Sequence, residues 1–225
     1  MGGGSNRGGK RMTRKGVRCT AIGVSYGGRV VFDGLDLTLG CGLYALLGAN
    51  GVGKSTLLRL LAGAQSPDAG EIWIAGESLM RFPVRARRHL SYVPDEAAVY
   101  PFMTGRDLLD FCAWAKNSGI DGDVEEMIGN FGLQPHLATR FDAMSLGTRK
   151  KMMICAALIG APDVLLMDEP SNGLDAPSLE CLVMLLRRQS RNAVALIASH
   201  DHDFLQRFDA EPLLMNDLVQ SGPAS

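Results

Sequence analysis

Cysteine is scarce in this chain of 225 residues, and its distribution excludes two kinds of small-protein architecture. The cysteines are odd in number and widely spaced, and no two of them have the CxxC spacing that is typical of structural zinc sites. A disulfide framework is excluded for the same reason. We expect reduced thiols in the core of a cytosolic protein, at positions Cys19, Cys41, Cys112, Cys155 and Cys181.

Long apolar runs are also absent. The longest apolar stretch, MMICAALIGAPDVLLM, is interrupted by Pro162 and Asp163. It therefore falls short of the ~18 uninterrupted apolar residues that a membrane-spanning helix needs. No signal-peptide pattern is found, so we expect the chain itself to be soluble.

Charge of one sign is lacking as well. The formal net charge of −1 gives no general attraction to nucleic acid or to anionic lipid. Residues 1–16 are the exception, because they are rich in glycine and locally basic. This segment has neither apolar residues for a core nor aromatic residues that stack on bases, which favours a disordered tail over a lipid- or RNA-binding arm.

What the chain does contain is an alternation of strand-like and helix-like segments. An alternating stretch around a Gly-Gly turn predicts two antiparallel strands near the N-terminus. Short buried strands separated by amphipathic helices predict a mostly parallel sheet. Apolar residues then recur at helical intervals in one long segment, which indicates a helical insertion. These segments are, in turn, residues 17–39, the strands 43–47, 164–169 and 193–199, and the insertion 95–160.

The sequence GANGVGKST, residues 48–56, has the G-x-x-x-x-G-K-[ST] pattern between a predicted strand and a predicted helix. Glycines in such a loop allow backbone N–H groups to point at phosphate oxygens, and the helix adds its positive N-terminal end. Lys54 supplies a charge for the β- and γ-phosphates, and the Ser55 hydroxyl is placed for Mg²⁺. The predicted nucleotide-binding residues of this P-loop are Gly48, Asn50, Gly51, Gly53, Lys54, Ser55 and Thr56.

An acidic pair ends the buried strand VLLMDE, residues 164–169. Asp168 is placed to hold Mg²⁺ through water, and Glu169 is placed to orient and deprotonate an attacking water. One of the two could instead be a helix cap. A P-loop with this pair predicts a nucleotide hydrolase without deciding its class.

The order of the motifs resembles that of the nucleotide-binding subunit of an ABC transporter, over residues 17–210. The resemblance implies that Tyr26 stacks on adenine, that Lys54 and Glu169 act in catalysis, and that His200 contacts the γ-phosphate. It also identifies SNGLD, residues 171–175, as the loop that communicates between subunits. HDHD at 200–203 could also indicate a metal cluster, but its side chains would point in different directions and no further ligands complete a set.

The stretch MSLGTRKK, residues 144–151, stands where the family has its signature, usually LSGGQ followed by basic residues. Ser145 is expected to cap the following helix, and the resemblance implies that Ser145 and Gly147 contact the γ-phosphate of a partner subunit's nucleotide. Leu146 replaces the first family glycine and Thr148 the glutamine. We expect an altered but working signature; the alternative is that Ser145 is only a cap.

A second departure lies at Asp95, in YVPDE, where the family commonly has glutamine that touches magnesium. A carboxylate is a good ligand for a hard cation, so a magnesium contact could persist there. Asp95 could also be a simple loop carboxylate. An acid at this place loosely resembles the ATPases that are paired with ABC-2-type exporters.

The resemblance implies an ATPase with ATP and Mg²⁺ that dimerises head to tail around two ATP molecules. It implies a second ATPase subunit and a transmembrane permease as partners, with no nucleic acid, and a place on the cytoplasmic face of the membrane. The nearby Arg85, Arg87 and Arg88 could line the permease surface or simply form a solvated basic face. The predicted division is a tail at 1–16, an ATP-binding core at 17–94 and 161–225, and a helical subdomain at 95–160.

Two other functions stay open at this stage. One is a soluble ABC-type ATPase that acts outside transport, such as an assembly factor. The other is a regulatory subunit that binds ATP with little turnover, which the departures at Asp95, Leu146 and Thr148 keep open.

Overall fold

A computed structural model describes residues 16–96 and 99–219. In these ranges the strands form two sheets, one of four strands and one of five. The predicted tail at 1–16 lies, except for its last residue, outside the described residues. The predicted fold class is confirmed: an α/β fold with a P-loop core, a mostly parallel sheet, an antiparallel sheet from the N-terminal strands, and inserted helices.

The smaller sheet is antiparallel and has the order β2-β1-β4-β5. The turn between its first two strands uses Gly27 and Gly28, whose φ angles of 52° and 84° lie in the left-handed region that glycine adopts without strain. In β1 the buried residues are Val17, Cys19, Ile22 and Val24, so the predicted alternation holds on either side of an irregularity between Cys19 and Ile22. The strands are β1 (Val17–Tyr26), β2 (Arg29–Leu39), β4 (Ala69–Ile74) and β5 (Glu77–Ser78).

The larger sheet has the order β6-β7-β8-β3-β9, and its strand pairs are parallel. Its central strands β7 and β8 are buried along their whole length, which is why they have continuous apolar sequences. Because β3, β6, β7 and β8 run in one direction, the loops that follow them meet at one edge of the sheet. The strands are β3 (Gly42–Leu47), β6 (Leu90–Val93), β7 (Val164–Asp168), β8 (Val194–Ala198) and β9 (Glu211–Leu214).

Helices of the core pack beside these sheets. Helix α1 ends shortly before Gly63, whose φ of 66° is the left-handed conformation that commonly ends a helix. Helix α6 is capped by Asp175, whose carboxylate accepts a hydrogen bond from the Ser178 N–H at 3.0 Å. The helices are α1 (Lys54–Leu61), α2 (Pro83–Arg88), α6 (Ala176–Gln189), α7 (His202–Leu205) and α8 (Met215–Val219).

The inserted segment contains α3 (Gly105–Lys116), α4 (Gly122–Asn130) and α5 (Leu146–Leu158). Leu109 of α3 and Val124 of α4 are fully buried and belong to one apolar cluster with α5. The helix α3 begins with a capping box in which the side chains and backbones of Thr104 and Asp107 exchange hydrogen bonds.

One expectation is changed by the structure. The five cysteines are free, but only Cys19 and Cys155 are buried, so the prediction that all of them are core thiols is wrong. The aromatic residues Phe111 and Trp114 of α3 are 56% and 79% exposed. Within 16–96 and 99–219, no helix combines the length and the apolar character required to cross a bilayer.

Candidate functional site

The loop between β3 and α1 folds back on its own lysine. The Lys54 ammonium donates hydrogen bonds to the carbonyl oxygens of Gly48 and Ala49, at 2.6 and 3.2 Å. Gly53, directly before the helix, has a φ of 111°, and a Cβ there would lie 2.9 Å from Val31 Cγ1. Only glycine fits this position without movement, and its conformation lets the loop enter the helix with free N–H groups at its end.

This loop forms one wall of a pocket of about 400 Å³ at the edge where the parallel strands end. The loops after β6, β7 and β8 supply the other walls. The structure therefore brings together most of the residues that the motifs predict. The lining consists of Asn50, Gly51, Gly53, Lys54, Ser55, Thr56, Arg59, Asp95, Asp168, Glu169 and His200.

Asp168, the last residue of β7, is buried in the pocket floor. Burial raises the pKa of its carboxyl group, and a hydrogen bond from the Ser55 hydroxyl opposes this shift. The residues predicted for Mg²⁺ at the P-loop and at the acidic strand end therefore lie in direct contact. A partly desolvated carboxylate beside a hydroxyl is a suitable pair of oxygen donors for a hard cation.

Glu169 has an unusual backbone and a well-held side chain. Its φ of 46° is left-handed, a conformation that costs of order 1–3 kcal/mol for a residue other than glycine. Its Oε2 accepts hydrogen bonds from Ser199 Oγ at 3.0 Å and from the His200 N–H at 3.2 Å. The His200 Nδ1 lies 2.9 Å from Oε1, and this hydrogen bond together with the carboxylate charge raises the pKa of His200.

Asp95 lies at the rim of the pocket, between two partners that the motifs do not predict. The Asn172 amide donates to its Oδ1 at 3.0 Å, and the Lys150 Nζ lies 3.5 Å from the same oxygen. The Asp95 side chain is 46% exposed, whereas the Lys150 side chain is 2% exposed. Asp95 is therefore more than an isolated loop carboxylate.

Sequence reasoning missed Arg59, Ser199, Lys150 and Asn172. Arg59 follows the P-loop on α1, and its guanidinium donates to the Thr56 hydroxyl at 3.3 Å, so spacing along the helix is a signal that could have found it. Ser199 is a hydroxyl residue directly before His200 at a strand end, which is a weaker signal. Lys150 and Asn172 lie 55 and 77 residues from Asp95 in sequence, and no local pattern indicates these contacts.

Four residues predicted to contact nucleotide lie outside the lining of this pocket: Gly48, Ser145, Gly147 and Tyr26. The Gly48 carbonyl accepts from Lys54 instead. Ser145 caps α5, because its Oγ accepts from the Thr148 N–H at 3.2 Å, and it is exposed. Gly147, in the first turn of the same helix, packs against the backbone of Gly173. Tyr26 is 44% exposed, and its hydroxyl donates to the Gln65 Oε1 at 2.6 Å. Ser145 as a helix cap is confirmed; contacts of these residues with nucleotide are not tested by this geometry.

The charges of the pocket suit a metal–triphosphate ligand. Lys54 and Arg59 supply positive charge, and Asp95, Asp168 and Glu169 supply carboxylates. Among the residues that the structure describes, no group of three or more His, Cys, Asp or Glu side chains is arranged to hold a metal ion alone. A site with few protein carboxylates fits Mg²⁺, which commonly takes its remaining oxygens from water and phosphate.

Comparison with known proteins identifies the family. A sulfate/thiosulfate import ATP-binding protein of Mycobacterium tuberculosis is 35% identical over 182 residues, 78% of this chain and 52% of that protein. A Nod factor export ATP-binding protein of Paraburkholderia xenovorans is 34% identical over 181 residues, 78% of this chain and 60% of that protein. The chain thus spans about half to three fifths of the length of these relatives.

A solved structure described as the ATP-binding subunit of an ABC transporter superimposes with a TM-score of 0.79 and 26% identity, and it covers 88% of this chain and 85% of its own. The family model described as ABC transporter matches residues 32–172, which is more than half of the chain. Proteins of this family bind ATP and work with membrane permeases. The P-loop, the acidic strand end and the family match lead to one conclusion: this chain belongs to the ABC transporter ATP-binding family.

Proposed function

We propose that the chain binds and hydrolyses ATP with Mg²⁺ and thereby drives a separate membrane permease. The observation that carries this proposal is the pocket at the ends of the parallel strands, in which Lys54, Ser55, Asp168 and Glu169 line one space. Each of these side chains has the chemistry that phosphoryl transfer to water requires. The family match supports the same function.

The binding roles follow from charge and geometry. The N–H groups of the P-loop and the Lys54 ammonium hold the triphosphate, and Lys54 exchanges its two loop carbonyls for phosphate oxygens. Ser55, Asp168 and Asp95 supply oxygen donors on the side where Mg²⁺ would bind. When bound, Mg²⁺ would neutralise part of the negative charge on the β- and γ-phosphates.

Glu169 is the proposed general base. It orients a water and accepts its proton as the water oxygen bonds to the γ-phosphorus and the bond to the ADP oxygen breaks. Ser199 and His200 hold the carboxylate in place through the contacts described above. His200 also faces the γ-phosphate in this proposal, where its imidazole donates to a phosphate oxygen.

A second copy or a homologous subunit completes each site. Ser145 is exposed at the N-terminus of α5, where a helix dipole favours an anion, but it lies outside the lining of its own chain's pocket. We place Ser145 and the Gly147 N–H on the γ-phosphate of the partner's nucleotide. Tyr26 stacks on the adenine in the same arrangement, and its partial exposure leaves it accessible to a ring.

The permease docks on the inserted helical subdomain, residues 95–160, while residues 17–94 and 161–225 form the ATP-binding core. Large aromatic side chains are exposed together in this subdomain, which is typical of an interaction surface. Tyr100 and Phe102 stack with centroids 5.5 Å apart, and Phe111 and Trp114 lie 6.2 Å apart. We propose export as the direction, with the chain held on the cytoplasmic face of the membrane through its permease.

ATP turnover tests this proposal. We expect the purified chain to release phosphate in a Mg²⁺-dependent manner and Glu169→Gln to reduce the rate at least about 100-fold, because general bases contribute ~10²–10⁴-fold. Glu126→Gln is the matched control, since Glu126 is on α4 and contacts Arg188 rather than the pocket. Equal turnover in the parent and in Glu169→Gln would refute the assigned base.

A further inference from the structure

Lys150 is a buried cation that neither the family resemblance nor the comparisons assign. It lies in the second turn of α5, on the helix that begins with the signature, and its side chain is 2% exposed. Its ammonium donates hydrogen bonds to the carbonyl oxygens of Pro94 and Asp95, at 3.1 and 2.6 Å. The same Nζ lies 3.5 Å from the Asp95 carboxylate. The Lys150 side chain thus contacts both the backbone carbonyls and the Asp95 carboxylate of the segment after β6.

The Asp95 carboxylate is restrained from a second direction. Asn172, in the turn after β7, donates to the same Oδ1 at 3.0 Å. Asp95 is therefore a junction of three segments: its own loop, the signature helix and the turn that follows Glu169. Of this pair only Lys150 is buried, and displacement of the Asp95 segment would leave the buried ammonium without its carboxylate and carbonyl partners, so this junction resists displacement.

We propose that Lys150 is a positioning residue, which sets the Asp95 carboxylate at the pocket rim in the place where it serves Mg²⁺. This inference rests on the proposed function, because it assigns Lys150 a role toward the metal of the same site. It also gives the aspartate at this position a physical partner. The carboxylate is held by a lysine of the signature helix, so the metal side of the pocket is connected to the surface that contacts a second subunit.

A purely structural role is the competing explanation, and the chain contains a matched control for it. Lys116 is a second lysine of the insertion, on α3, and it also donates to carbonyls of the segment that leads into β6, those of Arg87, Arg88 and Leu90. Lys116 lies outside the lining of the nucleotide pocket. Lys116→Met therefore removes a comparable clamp without touching Asp95.

The experiment compares the full chain with Lys150→Met, Lys116→Met, Asp95→Asn and the Lys150→Met/Asp95→Asn double variant. Binding of a fluorescent ATP analogue is titrated in EDTA and across a series of Mg²⁺ concentrations, and phosphate release gives kcat and KM. We expect Lys150→Met to raise the half-saturating Mg²⁺ concentration about tenfold, in the range for residues that orient metal ligands. Its nucleotide affinity in EDTA should equal that of the parent.

The direction of this change is diagnostic. Removal of a nearby positive charge would by itself strengthen Mg²⁺ binding, so weaker binding has to come from lost positioning. Lys116→Met should keep the parent's Mg²⁺ response, and the double variant should be no weaker than Asp95→Asn alone, because Lys150 acts through Asp95. Should Lys150→Met fail to fold, Lys150→Gln, which keeps an N–H donor, replaces it with the same expected direction.

Three results would overturn the inference. The half-saturating Mg²⁺ concentration of Lys150→Met could equal that of Lys116→Met, it could fall below that of the parent, or the effects of the two substitutions in the double variant could be additive. These results differ from a failure of the proposed function. In that case the parent chain itself would show no Mg²⁺-dependent binding or turnover of ATP.

Discussion

At the scale of single residues, Glu169 combines a strained backbone conformation with a place in the pocket lining. Its left-handed backbone places the carboxylate within reach of Ser199 and His200, which extend from the end of the neighbouring strand β8. The sequence indicates a carboxylate here, because an acidic pair follows a buried strand. It does not indicate the backbone conformation, since glutamate seldom adopts a positive φ.

This strain predicts a difference between two inactive variants. Glu169→Ala and Glu169→Gly both remove the carboxylate, but only glycine adopts a φ of 46° without steric cost. We expect Glu169→Gly to be more stable than Glu169→Ala by about 1 kcal/mol in the free energy of unfolding, measured by urea denaturation. An alanine variant of equal or greater stability would show that the backbone changes conformation in solution.

The contact between His200 and Glu169 predicts a pH dependence. The folded-state pKa of His200 is raised above the ordinary value of 6.5 by the hydrogen bond with Glu169, so the folded state binds the proton more tightly than the unfolded state. The stabilisation is fully present below pH 6.5 and is lost as the pH rises through the higher folded-state value. The thermal midpoint of His200→Gln should therefore fall below that of the parent most clearly at low pH.

The control for this titration is the same substitution in a Glu169→Gln background. In that background the negative charge at position 169 is absent. The difference in thermal midpoint between histidine and glutamine at position 200 should therefore lose its pH dependence. A difference that persists with the same pH profile would assign the effect to another group.

At the scale of secondary structure elements, the signature helix α5 is connected to the loops around it by close backbone packing. A Cβ on Gly147 would lie 2.3 Å from the Gly173 carbonyl oxygen, in the turn after β7. The sequence pattern identifies both glycines as parts of motifs. Their contact arises because α5 packs beside β6 and the turn follows the adjacent strand β7, and it is a property of the tertiary structure.

Alanine substitutions in two helices test this packing. Gly129 lies in α4, where the nearest atom to an added Cβ is Gln134 Nε2 at 3.5 Å, so Gly129→Ala should be neutral or should stabilise by up to about 1 kcal/mol. Gly147→Ala should destabilise by ~1–3 kcal/mol, because the overlapping atom belongs to the backbone. Urea unfolding of both variants measures this, and equal stabilities would contradict the packing.

Elements with a strong period were predictable, and short ones were not. The strands β1, β2, β3, β7 and β8 and the helices α1 and α6 follow from alternation, buried apolar runs and capping residues. No sequence pattern predicts α2, β6 or β9, which have six, four and four residues. Elements of this length contain no more than about two periods of their pattern, so their conformation depends on the strands and helices beside them.

At the scale of the whole molecule, most side chains that line the pocket are predictable from the sequence, whereas the contacts around Asp95 are not. The motifs predicted the P-loop, Asp168 and Glu169, and the family resemblance added His200. These residues meet in one pocket because parallel strands bring their ends to one edge of the sheet. The motifs did not predict the network of Lys150 and Asn172 on Asp95, since that depends on where the insertion packs on the core. The exposed Ser145 lies outside the pocket, which is the basis for proposing that another subunit completes the site.

Mass measurement of the Glu169→Gln variant by light scattering, with and without ATP and Mg²⁺, tests this central proposal most directly. The account predicts a dimer with twice the 24.1 kDa mass of one chain when ATP and Mg²⁺ are present, and a monomer in their absence. Adding Ser145→Ala should weaken the dimer. A Glu169→Gln variant that binds ATP tightly while it remains a monomer would contradict the account, as would a dimer that Ser145→Ala leaves unchanged.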